Sequence, residues 1–326
     1  METLPQIKQT LSEIDRRIPD ALRVAMGIPF RHMPAPAAGV QHEAASFAAA
    51  CLLQPCMPAD AEPMECDGDC DMECDETPRD LRMEAASCCL PDHDEDMSFV
   101  HSEGGVVGVA DGVGGFRRPG VDAAAFARAL MANAFEAVVN AMPGATDVSP
   151  YGLLEGAYKE AVASRTSGGS TAVILSLVAG KTLKWAYIGD SAFAVFRDGK
   201  LLFRSYEQQR HFNCPFQLCV NGGSPVTKAA VGDIEVKEGD VVVVGTDGLF
   251  DNVFDMELQR IVQMGRMLGF SAKQLADVIA GAAYEASFTS NRDTPYSVES
   301  RIQCGTSFKC GKPDDITVVV SFIIVS

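Results

Sequence analysis

The stretch Ser170–Glu207, STAVILSLVAGKTLKWAYIGDSAFAVFRDGKLLFRSYE, decides the fold. It breaks into four short apolar runs, STAVILSLVAG, KTLKWAYIG, SAFAVFRDGK and LLFRSYE, separated by Gly-containing turns. Runs of this length, rich in Val, Ile, Phe, Trp and Tyr, read as successive strands. The Asp198-Gly199 pair between the last two is hairpin chemistry. Outward from this core, MSFVHSE and VVGVAD read as paired strands flanking Gly104 and Gly105, and VVVVGTDG and ITVVVSFIIV as further strands. The segments GVDAAAFARALMANAFEAVVNAM and GLLEGAYKEAVAS precede the core and carry apolar residues three and four apart, which predicts two helices. DMELQRIVQMGRMLGF and SAKQLADVIAGAAYEASF predict two more after it. Paired helices, a run of strands, paired helices and a final strand are no βαβ alternation. They predict an α+β layered domain with antiparallel sheets covered by helices.

Ahead of this domain the texture changes. LPQIKQTLSEIDRRI and AASFAAACLL could each form a short amphipathic helix, joined by a Pro- and Ala-rich linker, MPAPAAGV. Residues 57–80, MPADAEPMECDGDCDMECDETPRD, hold nine carboxylates before Arg79, a density that favours solvated chain. Residues 1–83 are therefore expected to be a largely irregular N-terminal extension, and 84–326 the folded domain. Cys66, Cys70 and Cys74 could bind a soft metal with Cys56 or Cys88. Their spacing is not that of a zinc knuckle, so an acidic disordered segment is the preferred reading.

The formal net charge of −17 disfavours nucleic acid but not divalent cations. No apolar run reaches the ~20 residues of a membrane helix, and no secretory h-region follows the N-terminus. The 11 cysteines read as reduced thiols of an intracellular monomer. Cytoplasm or nucleus is favoured, with organelles left open.

Chemistry concentrates in Asp residues at the ends of strand-like runs: Glu95 and Asp96 in HDEDMSF, Asp111 and Gly112 in GVADGVGG, Asp190 in WAYIGDSAF, Asp247 and Asp251 in VVGTDGLFDN, and Asp314 and Asp315 in KPDDITVVV. A strand end fixes a carboxylate rigidly and leaves it open to a cleft. Carboxylates that converge without basic partners repel one another, so hard, oxygen-liganded cations such as Mg2+ or Mn2+ are expected between them. Asp-Gly taken alone is turn chemistry, and Asp198-Gly199 is read that way.

The ordered motifs DEDMSF, ADGVGGF, GGSTA, YIGDSAF, RSYEQQRHFNCPFQL, TDGLFDN and GKPDDITV resemble those of the metal-dependent protein phosphatases of type 2C, in a divergent branch, over residues 84 to 326. The resemblance implies a central antiparallel β-sandwich with helix pairs on both faces. It implies hydrolysis of phosphoserine and phosphothreonine on proteins by a water activated between two Mg2+ or Mn2+ ions. Asp111 would bridge the metals, the Gly112 carbonyl would contact one, and Asp247 and Asp314 would hold the other. Glu95 and Asp96 would act through water, with Asp190 and Asp251 matching positions of a weaker third metal. The sequence departs from the better-known branch in two places. Pro91 precedes the Glu-Asp pair where an Arg grips phosphate, leaving Arg82, Arg117 and Arg118 as candidate substitutes. Val113 replaces a His proposed as general acid. These departures motivate a second reading, a phosphatase-fold binding protein without catalysis, and a third takes small phosphate esters as substrate. His211 is assigned to packing or surface, and the GGST run to backbone entering a strand.

Overall fold

A computed structural model describes residues 80–116, 122–141 and 148–326, with Gln9 besides. The expected helix at 44–53, that at 4–18 apart from Gln9, Cys56, Cys66, Cys70 and Cys74, Arg117 and Arg118, and all of the acidic run but Asp80 lie outside the described residues.

Fourteen strands and six helices follow one another in the described chain: β1 (Leu81–Leu90), β2 (Met97–His101), β3 (Val106–Ala110), α1 (Ala125–Asn140), α2 (Pro150–Ala163), β4 (Gly169–Ser170), β5 (Ala172–Val178), β6 (Thr182–Ile188), β7 (Ala192–Arg197), β8 (Lys200–Arg204), β9 (Gln209–His211), β10 (Cys214–Pro215), β11 (Leu218–Cys219), β12 (Ala230–Glu235), β13 (Val241–Gly245), α3 (Asp247–Phe250), α4 (Asp255–Met267), α5 (Ala272–Ser287), α6 (Pro295–Cys304) and β14 (Ile316–Val325). Two five-stranded antiparallel sheets carry the architecture, in the orders β1-β14-β13-β7-β8 and β12-β6-β5-β3-β2.

The period-2 rule explains how one strand serves two cores. Odd-numbered Val107, Val109, Val173, Leu175, Leu183 and Trp185 meet Val242, Val244, Val319 and Ile323 of the other sheet in one cluster. Even-numbered Val106, Ala110, Ala172, Ile174, Ala186 and Ile188 meet Phe126, Leu130 and Met131 of α1 and Leu154 and Ala157 of α2. On the second sheet α5 packs against β1 and β14, with α4 against α5. That double cover is why β5 and β13 are buried along their whole length rather than alternating. The Asp198-Gly199 turn holds both residues at positive φ, 52° and 71°, as a tight hairpin between β7 and β8 requires.

The α+β class and the antiparallel sheets agree with the sequence reading. Its boundary at residue 84 does not. Leu81, Arg82 and Met83 are already in register with Val325, Ile324 and Ile323, so the boundary falls inside β1. Cys88 and Cys89 lie within β1 as well. No helix among the described residues is long and apolar enough to cross a membrane.

Candidate active site

Strand register brings the scattered acidic motifs to one end of both sheets. Ala110 at the close of β3 faces Met97 at the start of β2. Ala172 faces Ile188, and Gly245 faces both Ala192 and Val318. Asp96, Asp111, Asp190 and Asp314 sit in the connections just beyond these paired ends, and Asp247 opens α3 directly after β13. One carboxylate oxygen each from Asp111, Asp190 and Asp247 lie within 4.8 Å of one another.

The backbone beneath Asp111 is held from several sides. Its carbonyl accepts from Thr171 N at 3.0 Å and from Ser170 Oγ at 2.9 Å. Its N–H donates to Thr171 Oγ1 at 3.1 Å, and that hydroxyl is within 2.7 Å of Ser191 Oγ. The GGST run does enter a strand, as expected, but it also anchors the residue at the centre of the cluster. Next to it, a Cβ on Gly112 would fall 2.6 Å from the carbonyl oxygen of Glu95, so only glycine lets these two segments touch.

Asp315 ties the Glu95-Asp96 segment down. Its Oδ1 accepts from the N–H groups of Asp92, His93 (2.6 Å) and Asp94 (3.1 Å), and its Oδ2 from Glu95 N–H at 2.7 Å. Burial alone would raise its pKa, but these four donors prevail and hold it below the ordinary carboxylate value. Thr246 Oγ1 donates to Asp96 Oδ2 at 2.7 Å and accepts from Thr317 N at 3.1 Å, so Asp96 is oriented from β13.

The other carboxylates are under opposite stress. Burial, then Asp247, Asp96, Asp190 and Asp314, push Asp111 well above the ordinary value. Burial, Asp247 and Asp251 do the same to Asp190, and burial and Asp315 to Asp96. Burial and Asp247 bring Asp314 to about 6. Burial brings Asp251 to about 7 against the pull of Lys312, with Asp247 adding to the rise. Asp96 Oδ1 and Asp190 Oδ1 are buried with no hydrogen-bond partner. Orphaned, mutually repelling oxygens are the donor set of a hard divalent cation, and the residues fit one.

No family model matches the chain. Putative protein phosphatase 2C 24 of Oryza sativa subsp. japonica is 65% identical over 327 residues, covering 99% of this chain and 100% of that protein. The chain belongs to the protein phosphatase 2C family. The X-ray structure of the photosystem II phosphatase PBCP matches with a TM-score of 0.65 at 31% identity, over 74% of this chain and 98% of that one. The catalytic domain of the serine/threonine protein phosphatase PstP, in complex with two manganese ions, shares the fold with a TM-score of 0.55 at 19% identity, over 75% and 99% of the two chains.

Within the 2C fold, one candidate is misplaced. Arg82 opens β1, paired with Ile324, while the acid cluster lies past Leu90 at the far end. Eight residues of strand at ~3.3 Å each put about 26 Å between them. Sequence proximity to Glu95 suggested it, and an extended strand undoes that proximity. His211 is exposed on β9, consistent with a surface role. Val113 donates its N–H to Gly169 O at 2.9 Å and stays beside the cluster.

Four residues in and around the acid cluster escaped sequence reasoning. Thr246 orients the Asp96 carboxylate through its hydroxyl, Thr171 holds the main chain of Asp111, and Ser191 braces Thr171; their only signal was membership of the quoted motifs. Lys312 is the fourth. Its ammonium is paired with Asp247, with Asp251 at 2.9 Å and with Asp314 at 3.2 Å. Burial works to lower its pKa, but Asp247, Asp251 and Asp314 overcome this and hold it above that of a free lysine.

One prediction arises from this packing. A Cβ on Gly248 would overlap the carbonyl oxygen of Asp315. Gly248→Ala must therefore displace either α3, which carries Asp247, or the Asp314-Asp315 segment. We expect it to destabilise the domain by about 2–3 kcal/mol in urea unfolding, with turnover reduced beyond what the unfolded fraction explains.

Proposed function

We propose that this protein hydrolyses phosphoserine and phosphothreonine in protein substrates, using two divalent cations held by Asp111, the Gly112 carbonyl, Asp247 and Asp314. Glu95 and Asp96 support that set, and Asp190 and Asp251 offer a third, weaker position. The observation that carries the reading is the convergence of Asp111, Asp190 and Asp247 from three separate places in the chain into one cluster, in which Asp190 Oδ1 has no hydrogen-bond partner. Divalent cations supply Lewis acidity, acidifying water and offsetting charge that develops on phosphoryl oxygens. The chain's own residues hold the cluster in place: Thr171 and Ser170 fix the main chain of Asp111, Asp315 fixes the loop bearing Glu95 and Asp96, and Thr246 aims Asp96.

Thiol chemistry is disfavoured on the same ground. Cys89 packs against Thr317 near the cluster, and burial together with Asp96, Asp315 and Asp94 pushes its thiol up to about 11, too high for a thiolate nucleophile at neutral pH.

The test is metal-dependent turnover. The full chain with Mn2+ is expected to release inorganic phosphate from a phosphothreonine peptide, to stop when EDTA is added and to recover when Mn2+ is restored. Mn2+ is also expected to raise the unfolding temperature by relieving repulsion among the carboxylates. Phosphate release that is indifferent to EDTA, or absent across a Mn2+ and Mg2+ titration, overturns the proposal.

A further inference from the structure

We propose that Lys312 grips the substrate's phosphoryl group, serving where Pro91 leaves no arginine. This rests on the phosphatase reading above.

Lys312 is held as a built part of the site. Asn252, fully buried, donates Nδ2 to the Lys312 carbonyl at 2.9 Å and accepts its N–H at 2.9 Å. The same Asn252 amide donates to Gly248 O at 2.9 Å, which ties the Lys312 backbone to α3 and so to Asp247. The Tyr296 ring lies beside the ammonium at 5.6 Å, and Tyr296 is itself docked by its N–H on Asp251 O at 3.0 Å. A backbone fixed from one side and an aromatic wall on the other aim a four-carbon stem into the acid cluster.

Three arginines of the described region are paired elsewhere. Arg204 stacks on Phe250 at 3.8 Å and pairs with Asp255 and Glu207. Arg292 pairs with Glu257, and Arg301 with Asp293. Lys312 instead makes its ion pairs with Asp247, Asp251 and Asp314 of the cluster.

The chemistry follows from shared oxygens. Asp247 and Asp314 now satisfy the ammonium, and the same two carboxylates are offered to the metals. As cations take up those oxygens, the ammonium is left with donors to place, and a dianionic phosphoryl group beside the metals is the acceptor that matches it. A lysine does this as a compact, rotatable charge rather than through the two-pronged grip of a guanidinium.

Full-length Mn2+-loaded protein tests this with three readouts: inhibition by inorganic phosphate, KM and kcat on a phosphothreonine peptide, and Mn2+ affinity by calorimetry. Lys312→Met is expected to weaken phosphate inhibition roughly ten- to hundredfold, the loss of one charged hydrogen bond. KM should rise by a similar factor, kcat should fall less, and Mn2+ affinity should hold or increase because a competing cation has gone. Lys312→Arg should recover part of the phosphate affinity. An unchanged phosphate constant in Lys312→Met overturns the assignment, as does a fall in Mn2+ affinity large enough to account for the whole effect. Phosphate binding to the Mn2+-loaded protein, followed by calorimetry, tests Lys312 even if peptide turnover fails, so the two readings fail separately.

Discussion

Asp111→Asn is expected to abolish useful turnover while making the metal-free protein harder to unfold. The two effects have one cause. Asp111 stands closest to the crowd: burial and four neighbouring carboxylates hold its pKa well above normal. A carboxyl whose folded pKa is raised loses stability on ionising in the fold, so at neutral pH the charge works against folding. An amide of the same shape keeps the backbone bonds to Ser170 and Thr171 and removes the repulsion. The unfolding temperature in EDTA should rise. Turnover with Mn2+ should fall by roughly a thousandfold or more, since several kcal/mol of charge stabilisation are at stake. The added stability from Mn2+ should shrink in parallel. A variant that unfolds earlier than wild type in EDTA would show that Asp111 is a structural ion-pair partner instead.

The second large effect is expected at Asp315, for the opposite reason. Asp314 and Asp315 are adjacent, yet one is strained and the other satisfied. Asp314 is raised to about 6 by burial and Asp247, while Asp315 is held low by four backbone donors from Asp92 to Glu95. Asp315→Ala leaves those N–H groups without their acceptor and frees the segment that bears Glu95 and Asp96. Charge-assisted bonds of this kind contribute about 1.5–3 kcal/mol each and do not add fully, so a loss of ~4 kcal/mol is expected. Urea unfolding should show a lower midpoint at unchanged slope. Asp315→Asn keeps one acceptor oxygen and should recover part of the loss. Equal stability of Asp315→Ala and wild type would mean that the 92–95 segment is held by other contacts.

These two residues also show how far the sequence could be read. Asp111, Asp247 and Asp314 stood out because each follows or precedes an apolar strand, a local pattern that the register then gathers in space. The Asp198-Gly199 hairpin and the α1 and α2 helices were equally local. What could not be read depends on distance along the chain. Nothing in GKPDDITV says which of two neighbouring aspartates turns toward residues 92–95, because that follows from how β14 pairs with β1. Lys312 meets Asp247 and Asp251 across more than sixty positions, and a lysine beside two aspartates reads as an ordinary solvated charge. β1 was missed for a compositional reason: LRMEAASCCL is poor in the β-branched and aromatic residues that announce a strand. It is a strand because β14 offers it a complete ladder and α5 covers it. Arg82 was misjudged for the same reason, since a segment read as irregular was in fact stretched away from the cleft.

The pairing of β1 with β14 has a consequence for how the molecule comes into being. Leu81 pairs with Val325 and Leu90 with Ile316, and β14 also lies between β1 and β13. While the polypeptide is growing on the ribosome, β1 has no neighbour to zip onto until β14 has emerged from the exit tunnel. Asp314 arrives only just ahead of that strand. A nascent chain therefore holds an incomplete sheet and an incomplete acidic cluster together, and the arrival of β14 completes both.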